Sequence, residues 1–397
     1  MSSNNYKVTF IRDAIHKNIN ISEPVIQALI SCKEFQRLRW INQLGGVQIA
    51  FPNATHTRYV HSIGVYHILN RVLSEVEGSS LLTKEEKTNI KIAGLLHDLG
   101  HGPFSHTFEK IINLNVNKKE NFTHEDYTCA IINDNSTEIN MILKQFNINI
   151  NAIIGILKKD YKNYPKYQIQ LVSSQLDCDR IDYLMRDGYF TGVGYGSIDI
   201  DWIITNMIID IKEGLVFSYK AISAIENYLI TRFHMYSQVY YHKSGILFDL
   251  NLQKLFSRIT ELYFDKTYSF KVNIHDFIAI FEGKSVEIQT YLNWTDATLI
   301  KLMQDIINFE KDNELVKISK VILFCFNWEN ELLLLTSENN TNVIGVKQDL
   351  KNLLYYFKKD PIIIKTKNEE YITLEKISQI LQDPIKAPNT IYFLKKK

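Results

Sequence analysis

The chain has 397 residues, and its 45 lysines and arginines balance 44 aspartates and glutamates to a formal net charge of +1. That balance excludes the broad basic field of a general nucleic-acid or membrane-surface binder, and a composition 45% apolar suits a globular chain large enough for two domains. No stretch is apolar enough to span a bilayer, MSSNNYKVTF lacks the pattern of a secretion signal, and Cys32, Cys129, Cys178 and Cys325 form no CxxC pair; a cytoplasmic protein with reduced thiols is expected.

Alternating residues across 5–22, including Val8, Phe10, Ile19 and Ile21, predict one or two short strands. Helical spacing then takes over: Val25, Leu29 and Ile30, followed by Phe35, Leu38 and Ile41. The run Tyr59–Val76 repeats it with Ile63, Ile68, Leu69, Val72 and Leu73. A further helix is expected from Lys84 to Leu99, stopped by Gly100 and Gly102. Residues 123–145 and 168–187 also read as helical. MIIDIKEGLVFSY resembles a hairpin turning at Glu213-Gly214, and a long helix is expected from Ala221 through Leu252. Beyond about residue 270, VILFCF, ELLLLTS, PIIIKT and TIYFLK read as strands, with Gln348–Phe357 helical between them. The expected fold class is mainly α: a helical domain with short β-hairpins over 1–255, then a smaller α+β domain over 256–397.

The densest chemistry is GLLHDLGHGPFSH, residues 94–106. It sets His97-Asp98 inside an apolar helix. Adjacent helical residues point about a quarter-turn apart, so both face one ion only if it lies close to the helix. A buried Asp is costly unless it is paired or ligates a metal. His61, in THTRYVHSIGV beside Arg58, and Asp179, in SSQLDCDRIDYLMRD, are candidates to complete a shell on other helices. Two His and two Asp suit Mn²⁺, Fe²⁺, Zn²⁺ or Ni²⁺ better than Ca²⁺ and leave positions open for water and substrate oxygens. A single buried His-Asp pair is more often structural. His101, His106, Arg58 and Arg180, gathered around helix ends, favour the chemical reading.

Five blocks extend the pattern: FQRLRWINQLGG (35–46), FPNATHTRYVHSIGV (51–65), AGLLHDLGHGPFSHTFE (93–109), THED (123–126) and SSQLDCDRIDYLMRDGYFTGVGYG (173–196). In this order they resemble the deoxynucleoside triphosphate triphosphohydrolases of the HD-domain superfamily, over roughly residues 5–250. The resemblance implies an HD-domain helical bundle in which His61, His97, Asp98 and Asp179 bind one divalent transition metal ion, with Mg²⁺ accompanying the substrate phosphates. It implies water attack on the α-phosphorus and release of inorganic triphosphate. His124 matches the catalytic histidine and suits protonation of the leaving 5′-oxygen, with Glu125 or Asp126 holding its tautomer. His101 and His106 match histidines against the phosphates, and Arg58, Arg180 and Lys243 match phosphate-binding cations. Gln43, Leu44, Tyr183, Asp187 and Tyr240 match the residues that read the sugar and crowd a ribose 2′-hydroxyl.

Blander readings exist for several of these. His124 alone could be a surface residue at a helix start, Leu44 and Tyr183 could be core, and Asp187 could cap the turn before Gly188. A homo-oligomer and a nucleotide activator are also implied. The activator pattern Asp-x-x-x-x-Gln-x-x-Arg is broken, because Ser31 precedes Gln36 and Arg39 and cannot offer guanine a bidentate carboxylate. The competing readings are an HD phosphohydrolase for a nucleoside monophosphate, cyclic nucleotide or guanosine polyphosphate, and a non-catalytic nucleotide sensor.

Overall fold

In the computed structural model, which describes residues 8–115, 121–324, 343–347, 355, 360–381 and 390–394, the chain opens with an antiparallel hairpin of β1 (Thr9–Asp13) and β2 (Lys17–Ile21). The Asp13 carboxylate accepts the N–H groups of Ile15 and His16 and so builds its turn. Alternation sends Ile19 and Ile21 into the core.

Helix α1 (Pro24–Ser31) begins on proline, and the short α2 (Lys33–Gln36) follows. A long loop then reaches α3 (Arg58–Glu75), whose partners are α4 (Lys84–Leu96) and, later, α10. Between them come α5 (His106–Ile112), α6 (His124–Asn133), α7 (Glu138–Gln145), α8 (Ile150–Leu157) and α9 (Lys166–Gln170), then α10 (Cys178–Thr191) and α11 (Ile200–Thr205). Helix α3 is buried along most of its length, from Tyr59 and His61 to Val72 and Leu73. Two glycines let it sit that deep. A Cβ on Gly64 would lie 2.0 Å from the Asp182 carboxylate of α10, and one on Gly94 of α4 would lie 2.1 Å from Leu69.

A hairpin of β3 (Met207–Asp210) and β4 (Gly214–Ser218) leads to α12 (Ile222–Met235), a π-turn over Tyr236–Tyr240, and α13 (Lys243–Phe264). Then follow α14 (Ile278–Phe281), α15 (Ile288–Leu292), α16 (Asp296–Phe309) and α17 (Asn313–Phe324). The last described elements are β5 (Val343–Lys347), β6 (Ile363–Lys365), β7 (Tyr371–Thr373) and β8 (Thr390–Leu394). β6 pairs parallel to β4, giving a sheet in the order β3-β4-β6-β7. One apolar core surrounds α3, α4 and α10; a second joins α13 and α15–α17 to Phe104, Phe108 and Tyr127. No helix among the described residues is long and apolar enough to cross a membrane.

The fold is mainly α, with short hairpins and a C-terminal part of helices plus strands. Four boundaries differ from expectation. The helix from Lys84 stops at Leu96, residues 123–145 split before Thr137, residues 168–187 split before Cys178, and the run from Ala221 breaks at the π-turn. VILF closes α17 rather than forming a strand. A short apolar run cannot separate the two, and Leu315, Ile318 and Ile322 are buried at helical spacing. The boundary expected at 255 falls inside α13, which runs unbroken through it, and β6 and β7 extend the sheet begun by β3 and β4. ELLLLTS and most of Gln348–Phe357 lie outside the described residues.

Candidate active site

Three helices deliver the candidate ligands. The first turn of α3 carries Arg58 and His61, and the first turn of α10 carries Asp179. His97 and Asp98 do not sit inside α4 as expected. They occupy the turns just past its end, with His97 still in helical backbone geometry. Nε2 of His61 lies 3.3 Å from Nε2 of His97, 3.0 Å from Asp179 Oδ1 and 3.6 Å from Asp98 Oδ2. His97 Nε2 lies 3.4 Å from Asp179 Oδ1 and 3.2 Å from Asp98 Oδ1. Ligand atoms each about 2.1 Å from one ion stand roughly 3.0–3.4 Å apart, so the His61, His97 and Asp179 atoms fit a divalent cation, with Asp98 beside them.

The other ring nitrogens are tied off. His61 Nδ1 lies 2.8 Å from Asp182 Oδ2, and His97 Nδ1 lies 2.7 Å from the Gly94 carbonyl. Both acceptors suit a proton on Nδ1 and turn Nε2 toward the shared point, where the neutral ring offers its lone pair. Asp182 is itself buried and also takes His16 Nε2 at 2.6 Å and Arg186 Nε at 2.9 Å. Burial opposes charge on His61, yet the Asp179 and Asp182 carboxylates prevail and raise its pKa to about 10. Asp179 is held well below the carboxylate range: burial works against this, but His97 and His61 outweigh it. A proton and a metal ion thus compete for one Nε2 lone pair, and binding an ion releases the proton.

The cluster opens into a cavity of ≈ 790 Å³. Of the expected substrate residues, Gln43, Leu44, Arg58, His101, His106, His124, Arg180, Tyr183, Asp187 and Tyr240 all line it. Lys243 does not; it is exposed at the start of α13. Asp126 is also a correction. It closes a capping box with Thr123 at the exposed start of α6 rather than orienting His124, because the Thr-x-x-Asp spacing serves the helix end first. Glu125 is exposed and turns toward Lys159 at 3.4 Å. The orienting carboxylate is Glu109, with Oε1 2.7 Å from His124 Nδ1 and 3.0 Å from His106 Nδ1. Burial pushes the Glu109 carboxyl up, but the two histidines overcome this and hold it ionised. Its position one turn after His106 was the available signal.

His101 stacks on His124 with ring centres 3.9 Å apart. Burial, Arg58 and His124 keep it neutral, and among the described residues its Nδ1 has no hydrogen-bond partner, the Glu109 carboxylate lying 3.9 Å away. Arg58 reaches Asp98 Oδ2 at 2.5 Å through Nη1 and Ser105 Oγ at 2.7 Å through Nε. Arg180 Nε donates to the Ser174 carbonyl at 2.7 Å and Nη1 to Tyr183 at 3.3 Å.

Asp187 does not cap a turn. It is buried between His56 Nε2 and the Tyr240 hydroxyl, each at 2.7 Å. His56, stacked on Phe190, was missed by the sequence reading, as was buried Arg232 behind Tyr236, bonded to Gln175 at 3.0 Å. Oε1 of buried Gln43 has no partner among the described residues. Ser31, Gln36 and Arg39 lie apart from the cavity. Arg39 bonds to Gln36 at 2.7 Å and covers the Tyr59 ring at 3.7 Å.

With this geometry, likenesses to known proteins can be placed. Residues 58–187 match the model of the HD domain and 198–292 that of the HD associated region. YwfO of Bacillus subtilis is 37% identical over 295 residues, covering 74% of this chain and 65% of that protein. The Dictyostelium discoideum homolog of deoxynucleoside triphosphate triphosphohydrolase SAMHD1 is 30% identical, covering 59% of this chain and 46% of that one. The chain therefore spans less than two thirds of these relatives' lengths. A crystal structure of a phosphohydrolase from Bacteroides thetaiotaomicron matches with a TM-score of 0.79 at 25% identity, covering 98% of this chain and 100% of that one. The chain thus carries an HD domain at residues 58–187, followed by an HD-associated region at residues 198–292.

Proposed function

We propose that this chain is a metal-dependent phosphohydrolase that converts deoxynucleoside triphosphates to deoxynucleoside and inorganic triphosphate. The observation that carries the reading is the His61, His97 and Asp179 cluster, with Asp98 beside it, opening onto a cavity whose other walls hold Arg58, Arg180 and His106 and the polar groups of Gln43, Asp187 and Tyr240. A divalent ion held by His61, His97, Asp98 and Asp179 would polarise the phosphoryl group as a Lewis acid. Mn²⁺, Fe²⁺, Zn²⁺ and Ni²⁺ all suit this nitrogen–oxygen set.

Arg58, Arg180 and His106 border the space for the triphosphate and supply charge-assisted donors to its oxygens. Water oxygen bonds to the α-phosphorus as the bond to the 5′-oxygen breaks. His124 delivers its Nε2 proton to that oxygen, while Glu109 holds Nδ1 and orients the ring. At the sugar wall, Gln43 Oε1 and the Asp187–Tyr240 pair offer partners to a 3′-hydroxyl. Leu44 and the Tyr240 ring leave a 2′-hydroxyl with contact but no partner.

Phosphorus NMR of products from each dNTP and NTP with Mn²⁺ or Mg²⁺ tests this. Triphosphate from dNTPs, with NTPs slow, is the expected result. Phosphate or pyrophosphate as the product would assign the site to another nucleotide, and no turnover of any would leave a nucleotide sensor.

A further inference from the structure

Asp296 opens α16, outside both matched regions, yet the residue is 5% exposed and its carboxylate sits between two loops of the cavity. Oδ2 accepts the Asn42 N–H at 3.0 Å, and Oδ1 accepts the Phe104 N–H at 2.7 Å. Asn42 directly precedes Gln43 and Leu44. Its carbonyl accepts Ser105 Oγ at 2.6 Å, the same oxygen that accepts Arg58 Nε. Phe104 and Ser105 both hold left-handed backbone, with φ of 55° and 57°. Bulky residues adopt that region only when the surroundings impose it. Nearby contacts have the same direction: Tyr291 donates to the Gly100 carbonyl at 2.6 Å, and Arg37 spans the carbonyls of Trp294 at 3.0 Å and Leu99 at 3.4 Å.

We infer that Asp296 is a positioning residue that sets the Gln43–Leu44 loop against the Phe104–Ser105 turn, and thereby fixes the distance between the sugar wall and Arg58. The inference rests on the nucleotide reading of the cavity. Backbone N–H groups bonded to a carboxylate are held more strongly than by a neutral acceptor, and one rigid group serving both loops fixes their separation. Apolar packing alone would let them slide. Burial of this carboxylate, which pushes it up to about 6, disfavours its charged form in the native state. Glu310 provides an internal contrast. It is buried to a similar degree and accepts the N–H groups of Lys271 and Val272 at 2.6 and 2.9 Å, but it faces no residue of the cavity.

The test compares D296N and E310Q with the wild type at full length. Asparagine keeps one acceptor and sets its NH₂ against the other amide. The expected result for D296N is a fall of about tenfold in kcat/KM for dNTPs, a narrower dNTP:NTP ratio and an unchanged metal content. Hydrogen exchange should quicken at 42 and 104. E310Q should lose thermal stability yet keep the wild-type ratio. A wild-type dNTP:NTP ratio in D296N overturns the inference even if exchange quickens, because the role is then only structural. Should D296N fail to fold, D296E carries both readouts, and a wild-type ratio with slow exchange there overturns it equally. If the wild type itself releases no triphosphate, the nucleotide reading fails on its own. Exchange at 42 and 104 then decides whether Asp296 holds the loops.

Discussion

The cavity contains two clusters of similar composition with opposite wiring. In the first, the Nδ1 atoms of His61 and His97 are tied to Asp182 and a carbonyl, so both Nε2 atoms converge with Asp98 and Asp179. In the second, the Nδ1 atoms of His106 and His124 converge on a single Glu109 oxygen and the Nε2 atoms point away from it. The second gathers four imidazole or carboxylate groups and the first three, His61, His97 and Asp179, with Asp98 beside them; each has ligand atoms close enough for an ion. Which nitrogen the supporting acceptor takes separates them: the first geometry turns its Nε2 atoms toward one point, and the second turns its Nδ1 atoms to the carboxylate and leaves the Nε2 atoms facing away from it.

Removing a carboxylate from the first cluster should have the largest effect. Asp98→Ala and Asp179→Ala should lose bound metal and activity together, as read by elemental analysis and turnover on the same sample; full metal and full rate in either would break the contrast. His124→Ala comes next. It should keep its metal while the rate falls by about 10²–10⁴-fold, the usual contribution of a general acid. Normal turnover would remove it from the mechanism. Tyr240→Phe, which frees Asp187 from one of its two partners, should change the rate little and narrow the preference for dNTP over NTP by about tenfold. An unaltered preference would place sugar selection elsewhere.

The smallest effect concerns pH. Burial moves the Asp296 carboxyl from an ordinary 3.8 up to about 6. The native state binds the extra proton inside that window, so stability due to this group falls as pH rises from about 4 to about 6 and is level above it. Urea melts of wild type and D296N at several pH values should show the wild type losing ground across the window and running parallel beyond it. Parallel curves throughout would mean that the carboxyl is ordinarily solvated.

Much of the first cluster was legible because its members sit at helix starts and ends with strong local signals. Burying a His-Asp pair is costly, and that cost together with His101, His106, Arg58 and Arg180 nearby singles out His97 and Asp98. The supporting groups were not legible. Asp182, His56, Glu109 and Asp296 matter through hydrogen bonds to residues 15 to 254 positions away, and no spacing along the chain reports such a bond. Asp126 shows the reverse error. A capping box was plain in THED, and a long-range role was assigned to a residue already engaged locally. VILF shows the limit of periodicity, since only the partners of α17 distinguish a buried helix from a strand.

The parallel pairing of β6 with β4 has a practical consequence. A chain cut after Phe324 would keep every candidate ligand, but it would leave Val216–Ser218 with unpaired N–H and C=O groups along an open strand. Open edges of that kind recruit strands from other molecules. The segment beyond α17 supplies the strand that covers this side of β4, and shortened versions of this protein should be judged first by whether they stay dispersed.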